Sequence, residues 1–258
     1  NYPKEILTII RSNPAPAELK EKLSDYHEND LADALTVLTP EERQKLYPIL
    51  GIEYVAEIFS YFDDAEPYLK ELPSKEAAKV ISNMDSDDAV DALDDLEEED
   101  KRKIVSHLDE DTRKDVRRLL SYDDDEIGSC MTNNFVCISD KLSIREAMRA
   151  LVRQAGEHDN ISTIFMVTED QTFYGAMDLK DLIIAREGTS IDDIVVTAYP
   201  YLYADEEIDD CLDTLKDYCE DSIPVLSEDN RILGVITSQD MIEVIDDEMG
   251  EDYAKLAG

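Results

Sequence analysis

The sequence is short of positive charge. Its 25 lysines and arginines face 63 aspartates and glutamates, a formal net charge of −38. Nucleic acid and anionic membrane surfaces bind through basic patches, so neither is an expected direct partner. Histidine is scarce and scattered: His27, His107 and His158 show no zinc-ligand spacing. The four cysteines (Cys130, Cys137, Cys211, Cys219) contain no CxxC pair. Beside apolar neighbours they read as small core hydrophobes in a reducing compartment. Glycine totals eight, with no phosphate-cradling loop. No run approaches the roughly 18 apolar residues of a membrane span, and no signal peptide opens the chain. Carboxylate pairs could do acid–base work, but no nucleophile-and-base constellation accompanies them, so no enzyme is expected.

Acid is abundant, and it is clustered. Residues 85–100 hold ten acids and no base, and residues 205–252 hold eighteen acids against Lys216 and Arg231 alone. A surface made acidic for solubility is the competing account, but such a surface would intersperse the signs. The stretch 234–252 shows the pattern. It begins as a strand at Gly234, Val235 and Ile236, turns at Thr237-Ser238-Gln239 and continues as a helix. Met241, Ile245, Met249 and Tyr253 recur as an apolar stripe; Asp240, Glu243, Asp247 and Glu251 recur as an acidic one. Like charges at helical neighbour spacing destabilise a helix by a few tenths of a kcal/mol per pair. A hard divalent cation would supply the missing positive charge. Asp87, Asp91 and Asp95 share a helix face in the same way. An acidic first turn favouring the helix dipole accounts for Asp87 and Asp88 but not for acids two turns on.

Residues 1–121 read as short helices joined by tight turns. Thr39-Pro40-Glu41-Glu42 is a capping box with proline at the first helical position, and Ser74 is expected to cap a helix after Pro73. Short amphipathic helices cannot bury their faces singly, so stacking into a small superhelix is expected. After Tyr122-Asp123-Asp124-Asp125 the pattern changes to short strands and helices, and it repeats. Residues 164–183 align with 223–242 at a fixed offset of 59, with Ile164/Ile223, Gly175/Gly234 and Asp181/Asp240 identical. Each copy reads strand, helix, strand, turn, strand, helix, with Glu-Asp marking the hairpin turn.

These repeats resemble a tandem pair of CBS domains, most clearly at Gly234-Val235-Ile236-Thr237-Ser238-Gln239-Asp240 and more weakly at Gly175-Ala176-Met177-Asp178-Leu179-Lys180-Asp181. With Tyr122, Glu126, Gly128, Met131 and Thr132 after an acidic helical region, the chain looks like the cytosolic part of an MgtE-family magnesium channel or transporter. The resemblance implies α plus α/β architecture. An all-α superhelical N domain (1–127) precedes two CBS domains (128–190 and 191–246), and a connecting helix (247–258) leads toward a membrane domain that this piece lacks. It implies that Mg2+ bridges the N domain, the CBS pair and the connecting helix and favours a closed channel. The matching acids are Asp87 and Asp91; Asp209 and Asp240; and Glu248, Glu251 and Asp252, to which the acidic stripes add Asp95 and Asp247. One acid expected before the second hairpin falls on Cys219, with Glu220 beside it. The family also implies a homodimer through the CBS domains at the cytoplasmic face of the cell membrane. The alternative is adenine-nucleotide sensing: CBS pairs can bind ATP, with Thr237 near phosphate and Asp240 on the ribose hydroxyls, while Asp178 in the first copy would repel phosphate.

Overall fold

The computed structural model describes residues 2–186, 188–217 and 220–257; on the last helix, the side chains of 247–249 and 251–257 lie outside that description. The chain divides into two compact units, Asn1–Val116 and Arg117–Gly258.

The first unit is helical throughout. Its elements are α1 (Tyr2–Arg11), α2 (Pro16–Leu23), α3 (Glu28–Val37), α4 (Pro40–Leu50), α5 (Ile52–Phe59), α6 (Glu66–Leu69), α7 (Ser74–Ile81), α8 (Ser86–Asp94), α9 (Glu98–Val105) and the greater part of α10 (Glu110–Leu119). Local chemistry sets the breaks. Thr39 accepts from the Glu42 N–H while Glu42 accepts from the Thr39 N–H, the reciprocal box expected before α4. Gly51, at φ +91°, ends α4 and starts α5 in a conformation that side chains resist. Ser74 does not cap α7. It takes the first helical position, and Pro73, with its fixed φ and no N–H to satisfy, stands at the cap; its carbonyl accepts from Glu76 and Ala77.

Odd-numbered helices stack, α1 on α3, α3 on α5, α5 on α7 and α7 on α9, while α2 packs on α4. This is the expected array of helices that bury their faces only against neighbours. The apolar interior includes Ile6, Leu31, Leu35, Ile58, Phe59 and Ile81, all essentially buried. One charge is buried with them. The Arg43 guanidinium grips the Glu71 carboxylate through Nε (3.0 and 3.1 Å) and Nη2, donates to the Leu35 and Leu38 carbonyls, and lies over the Tyr68 ring. The Tyr47 hydroxyl completes the set on Glu71 at 2.8 Å. Every partner is satisfied, as a buried ion pair requires.

The second unit contains the repeat. The first copy runs β1 (Val136–Ser139), α11 (Ile144–Gln154), β2 (Thr163–Val167), β3 (Phe173–Asp178) and α12 (Leu179–Ile184). The second runs β4 (Leu202–Tyr203), α13 (Ile208–Asp217), β5 (Ser222–Leu226), β6 (Ile232–Thr237) and α14 (Ser238–Ala257). In each three-stranded sheet the middle strand pairs parallel to the first and antiparallel to the third. The hairpins keep the offset of 59 in detail: Gln171 and Asn230 both take positive φ, and the register slips at Met166/Val167 and Val225/Leu226.

The copies are stitched by exchange. Thr132, ahead of β1, pairs with Val235 of β6, and Val196, ahead of β4, pairs with Ala176 of β3. The motif glycines permit this close approach. A β-carbon on Gly234 would stand 2.7 Å from the Thr132 carbonyl oxygen, and one on Gly175 would stand 2.6 Å from that of Val196.

Candidate functional site

The expected acids fall on three helices. Asp87 is half-buried in the first turn of α8; Asp91 is exposed one turn later, and Asp95 follows at the helix end. Asp95 also holds the fold together, since its Oδ2 accepts the Ala65 N–H at 3.0 Å, ahead of α6. The acidic run is less isolated than its composition implies, because Lys101, just beyond it, pairs with Asp94. In the second unit Asp209 is exposed in the first turn of α13.

Asp240 sits at the start of α14, and its geometry is specific. Its Oδ2 accepts the Thr237 N–H at 2.8 Å and the Thr237 hydroxyl at 2.6 Å, and the Asp240 N–H points back to that hydroxyl at 3.3 Å. The Thr-x-x-Asp of the motif is therefore a reciprocal cap that locks the turn from β6 into α14. In the first copy Asp178 takes the cap position of α12 and makes no side-chain cap bond. Asp247, Glu248, Glu251 and Asp252 lie along α14, but their side chains are outside the described residues, as is Cys219. Helices α13 and α14, which carry Asp209 and Asp240, pack on each other. Among the described residues no three His, Cys, Asp or Glu side chains come together as a metal cluster.

Two features had no sequence signal. One is a groove of about 910 Å³ in the helical unit, walled by residues of α2, α4, α5 and α7 that include Lys20, Pro48, Ile52, Tyr54, Lys79 and Val80. These residues are spread over sixty positions, so no local motif marks them. The other is Asp140, a lone acid between strand and helix that reads as ordinary turn polarity, yet its side chain is buried.

Of the three described cysteines, expected as core residues, Cys211 is buried while Cys130 and Cys137 are half-buried; burial pushes the Cys137 thiol up to about 12 and the Cys211 thiol up to about 11. No described helix is long and apolar enough to cross a membrane.

Residues 26–125 match the MgtE intracellular N domain, and residues 125–188 and 191–247 each match the CBS domain. A magnesium transporter MgtE of Enterococcus faecalis is 34% identical over 257 residues, covering 98% of this chain and 57% of that protein. A crystal structure of the soluble part of a magnesium transporter superposes with a TM-score of 0.89 at 29% identity, over 95% of this chain and 99% of the other. The cytosolic domain of the Mg2+ channel MgtE in complex with ATP superposes at 0.78, also at 29% identity, over 88% of this chain and 93% of the other. The chain spans about half the length of the curated relatives it matches.

Proposed function

Because this chain belongs to the MgtE family, with its intracellular N domain followed by a CBS pair, we propose that it is the magnesium-sensing region of a magnesium transporter, at the cytoplasmic face of the membrane. Mg2+ taken up by carboxylates of the N domain, the CBS pair and α14 favours a closed state of a membrane domain. What carries the reading is the match of N domain and both CBS domains in that order, 26 to 247.

The chemistry of the acids supports it. Magnesium keeps several waters and binds through one or two carboxylates at a time. Exposed acids such as Asp91, Asp95 and Asp209 suit that better than a closed cage. The assigned ligands are Asp87, Asp91 and Asp95; Asp209 and Asp240; and Asp247, Glu248, Glu251 and Asp252. Without cation the acidic surfaces repel over about a Debye length of 8 Å. With cation, the state that offers more ligands gains population by mass action.

The region acts as a homodimer through its CBS domains. Val152 on α11, Ile183 and Ile184 on α12, and Ile242 on α14 are 62–66% exposed. Ile183 and Ile242 are equivalent positions of the two copies, so the apolar surface follows the repeat. Burying it in a second copy is its simplest use.

Small-angle scattering tests the sensing role. The radius of gyration should fall as Mg2+ rises from zero to about 20 mM, well above the weak-site range of roughly 10⁻⁴–10⁻³ M. An unchanged radius would return the acidity to a solubility role.

A second reading, ATP binding by the CBS pair, is favoured by the ATP-bound relative. In this chain a nucleotide at Thr237 and Asp240 would have to share a carboxylate and hydroxyl already joined in the helix cap.

A further inference from the structure

Helices α11 and α13 are equivalent elements of the two repeats, offset by 64 residues (Ile144 to Ile208). The same offset holds ahead of them. Ile138 pairs with Met166 as Leu202 pairs with Val225, and the Asp140 N–H donates to the Val167 carbonyl as the Ala204 N–H donates to that of Leu226. It holds for the buried side of each helix too: Ala147 and Leu151 on α11 match Cys211 and Leu215 on α13. The two helices therefore share one rotational setting within their repeats, and equivalent positions point the same way.

Their exposed sides carry opposite charge. Arg145, Arg149 and Arg153 recur at four-residue spacing on α11, and all three are exposed. Their equivalents on α13 are Asp209, Asp213 and Asp217, exposed as well. Glu146 is the one acid on α11, and it is engaged in the helix cap, where it accepts the Ser143 N–H at 2.9 Å. Lys216 is the one base on α13. General acidity does not account for this reversal: a chain with 25 bases to 63 acids has placed three arginines on a single helix face.

The same helix pairs carry exposed apolar residues. Val152 stands on the arginine face of α11, and Ile183 and Ile184 are exposed on α12, which packs on α11. Ile242 is exposed on α14, which packs on α13. The charged stripes thus belong to the surface assigned above to a second copy.

We propose that α11 of one copy packs on α13 of the other, so that the arginine stripe of the first repeat meets the aspartate stripe of the second. In a twofold dimer this contact occurs twice, because an isologous interface repeats every pairing. Joining like helices would instead set arginines against arginines and aspartates against aspartates, an arrangement that like-charge repulsion penalises. Exposed ion pairs add little affinity. The apolar residues hold the copies together, and the charges decide which repeat meets which. The pairing rests on the homodimer proposed above and names the helices that meet in it.

The test is the dimer dissociation constant of the whole chain, measured by sedimentation velocity over a dilution series in magnesium-free buffer. Arg149→Asp with Arg153→Asp should raise it by about tenfold or more. Asp213→Arg with Asp217→Arg should raise it as much. That second pair makes the chain less acidic, so a dimer opposed only by its overall charge would tighten instead. All four substitutions together should restore the wild-type constant. Asp209 is left in place because it is also assigned to sensing. The pairing is overturned if either pair of substitutions leaves the constant unchanged, as contacts between like helices require, or if the combination fails to restore it, which would set the arginines against some other acid. A wild-type chain that stays monomeric would overturn the homodimer itself, and the pairing with it.

Discussion

The phenol ring of Tyr122 lies against the α-carbon of Gly128: a β-carbon on Gly128 would stand 2.5 Å from the ring's Cγ and 2.6 Å from each Cδ. The atoms met belong to the root of the ring, which cannot swing away as a side-chain tip can. Beyond the glycine, the chain enters its crossing at Thr132. Gly128→Ala should therefore cost about 1–3 kcal/mol, the usual range for overpacking, read as a lower urea midpoint. In a Tyr122→Ala background the penalty should shrink, because the obstacle is gone. An equal penalty in both backgrounds would mean that the ring is not what Gly128 accommodates.

A second relationship follows from the inexact repeat. Tyr199 donates its hydroxyl to the Ser222 carbonyl at 2.8 Å and is hydrogen-bonded to the Thr163 side chain. Thr163 and Ser222 are equivalent, and the counterpart of Tyr199 is Phe135, which has no hydroxyl. Ser222 Oγ is fully buried and has no partner. Ser222→Ala should leave stability unchanged or raise it by about 1 kcal/mol, whereas Thr163→Val should lower it by about 1 kcal/mol. Thermal unfolding of the pair decides this; a destabilised Ser222→Ala would show that the hydroxyl is satisfied after all.

What could be read in advance was what is locally encoded. Helix starts at Thr39 and Ser143 are complete within four residues, and the offset of 59 carries the strand register because both hairpins share their turn chemistry. Gly175 and Gly234 were visible as motif glycines, but the reason for them, a carbonyl arriving from the other copy, is a tertiary contact. Asp240 shows a different limit. Thr-x-x-Asp is the same string whether it caps a helix or holds a ligand, and only the geometry reveals the cap. The Asp140 turn is held by the end of β2, where its N–H meets the Val167 carbonyl, and no window around Asp140 contains that contact.

Asp109 supplies a pH-dependent contact. It accepts the Thr112 N–H at 2.8 Å and the Thr112 hydroxyl at 2.7 Å, capping α10. Burial pushes its carboxyl up, but these bonds and one from Ser82 outweigh it and hold the group at about 2, below its ordinary 3.8. A depressed folded-state value means stability that is full above the unfolded value and lost as pH falls through the folded one. Asp109→Ala should cost about 1 kcal/mol at neutral pH. The gap from wild type should close between about pH 4 and pH 2. A gap that persists at pH 2 would remove the ionised cap as its source.

For ATP, the two roles of Asp240 can be separated. Asp240→Ala should cost about 1 kcal/mol of stability as a lost cap, whether or not nucleotide binds. If ATP binds, the same change should also weaken it by removing the ribose acceptor. Calorimetry of wild type with ATP in the presence of magnesium decides this; no heat would eliminate the nucleotide reading and leave the cap.

The sensing role makes its sharpest demand on α8. Asp87 and Asp91 lie one turn apart on one helix, far in sequence from the acids of α14. A cation shifts a conformational equilibrium only by its difference in affinity between the two states. Removing ligands that one state uses must therefore raise the concentration needed. Asp87→Ala with Asp91→Ala should move the magnesium midpoint upward by about tenfold for each ligand lost, equivalent to about 1–2 kcal/mol apiece. Unfolding should stay cooperative, because acids on a helix face add little to the core and their mutual repulsion is relieved. In wild type, millimolar Mg2+ should raise the unfolding temperature by more than NaCl of equal ionic strength. Screening acts on every carboxylate alike, whereas a bound ion stabilises only the state that holds it. Equal effects of the two salts, or a double variant with the wild-type midpoint, would reduce the magnesium response to screening.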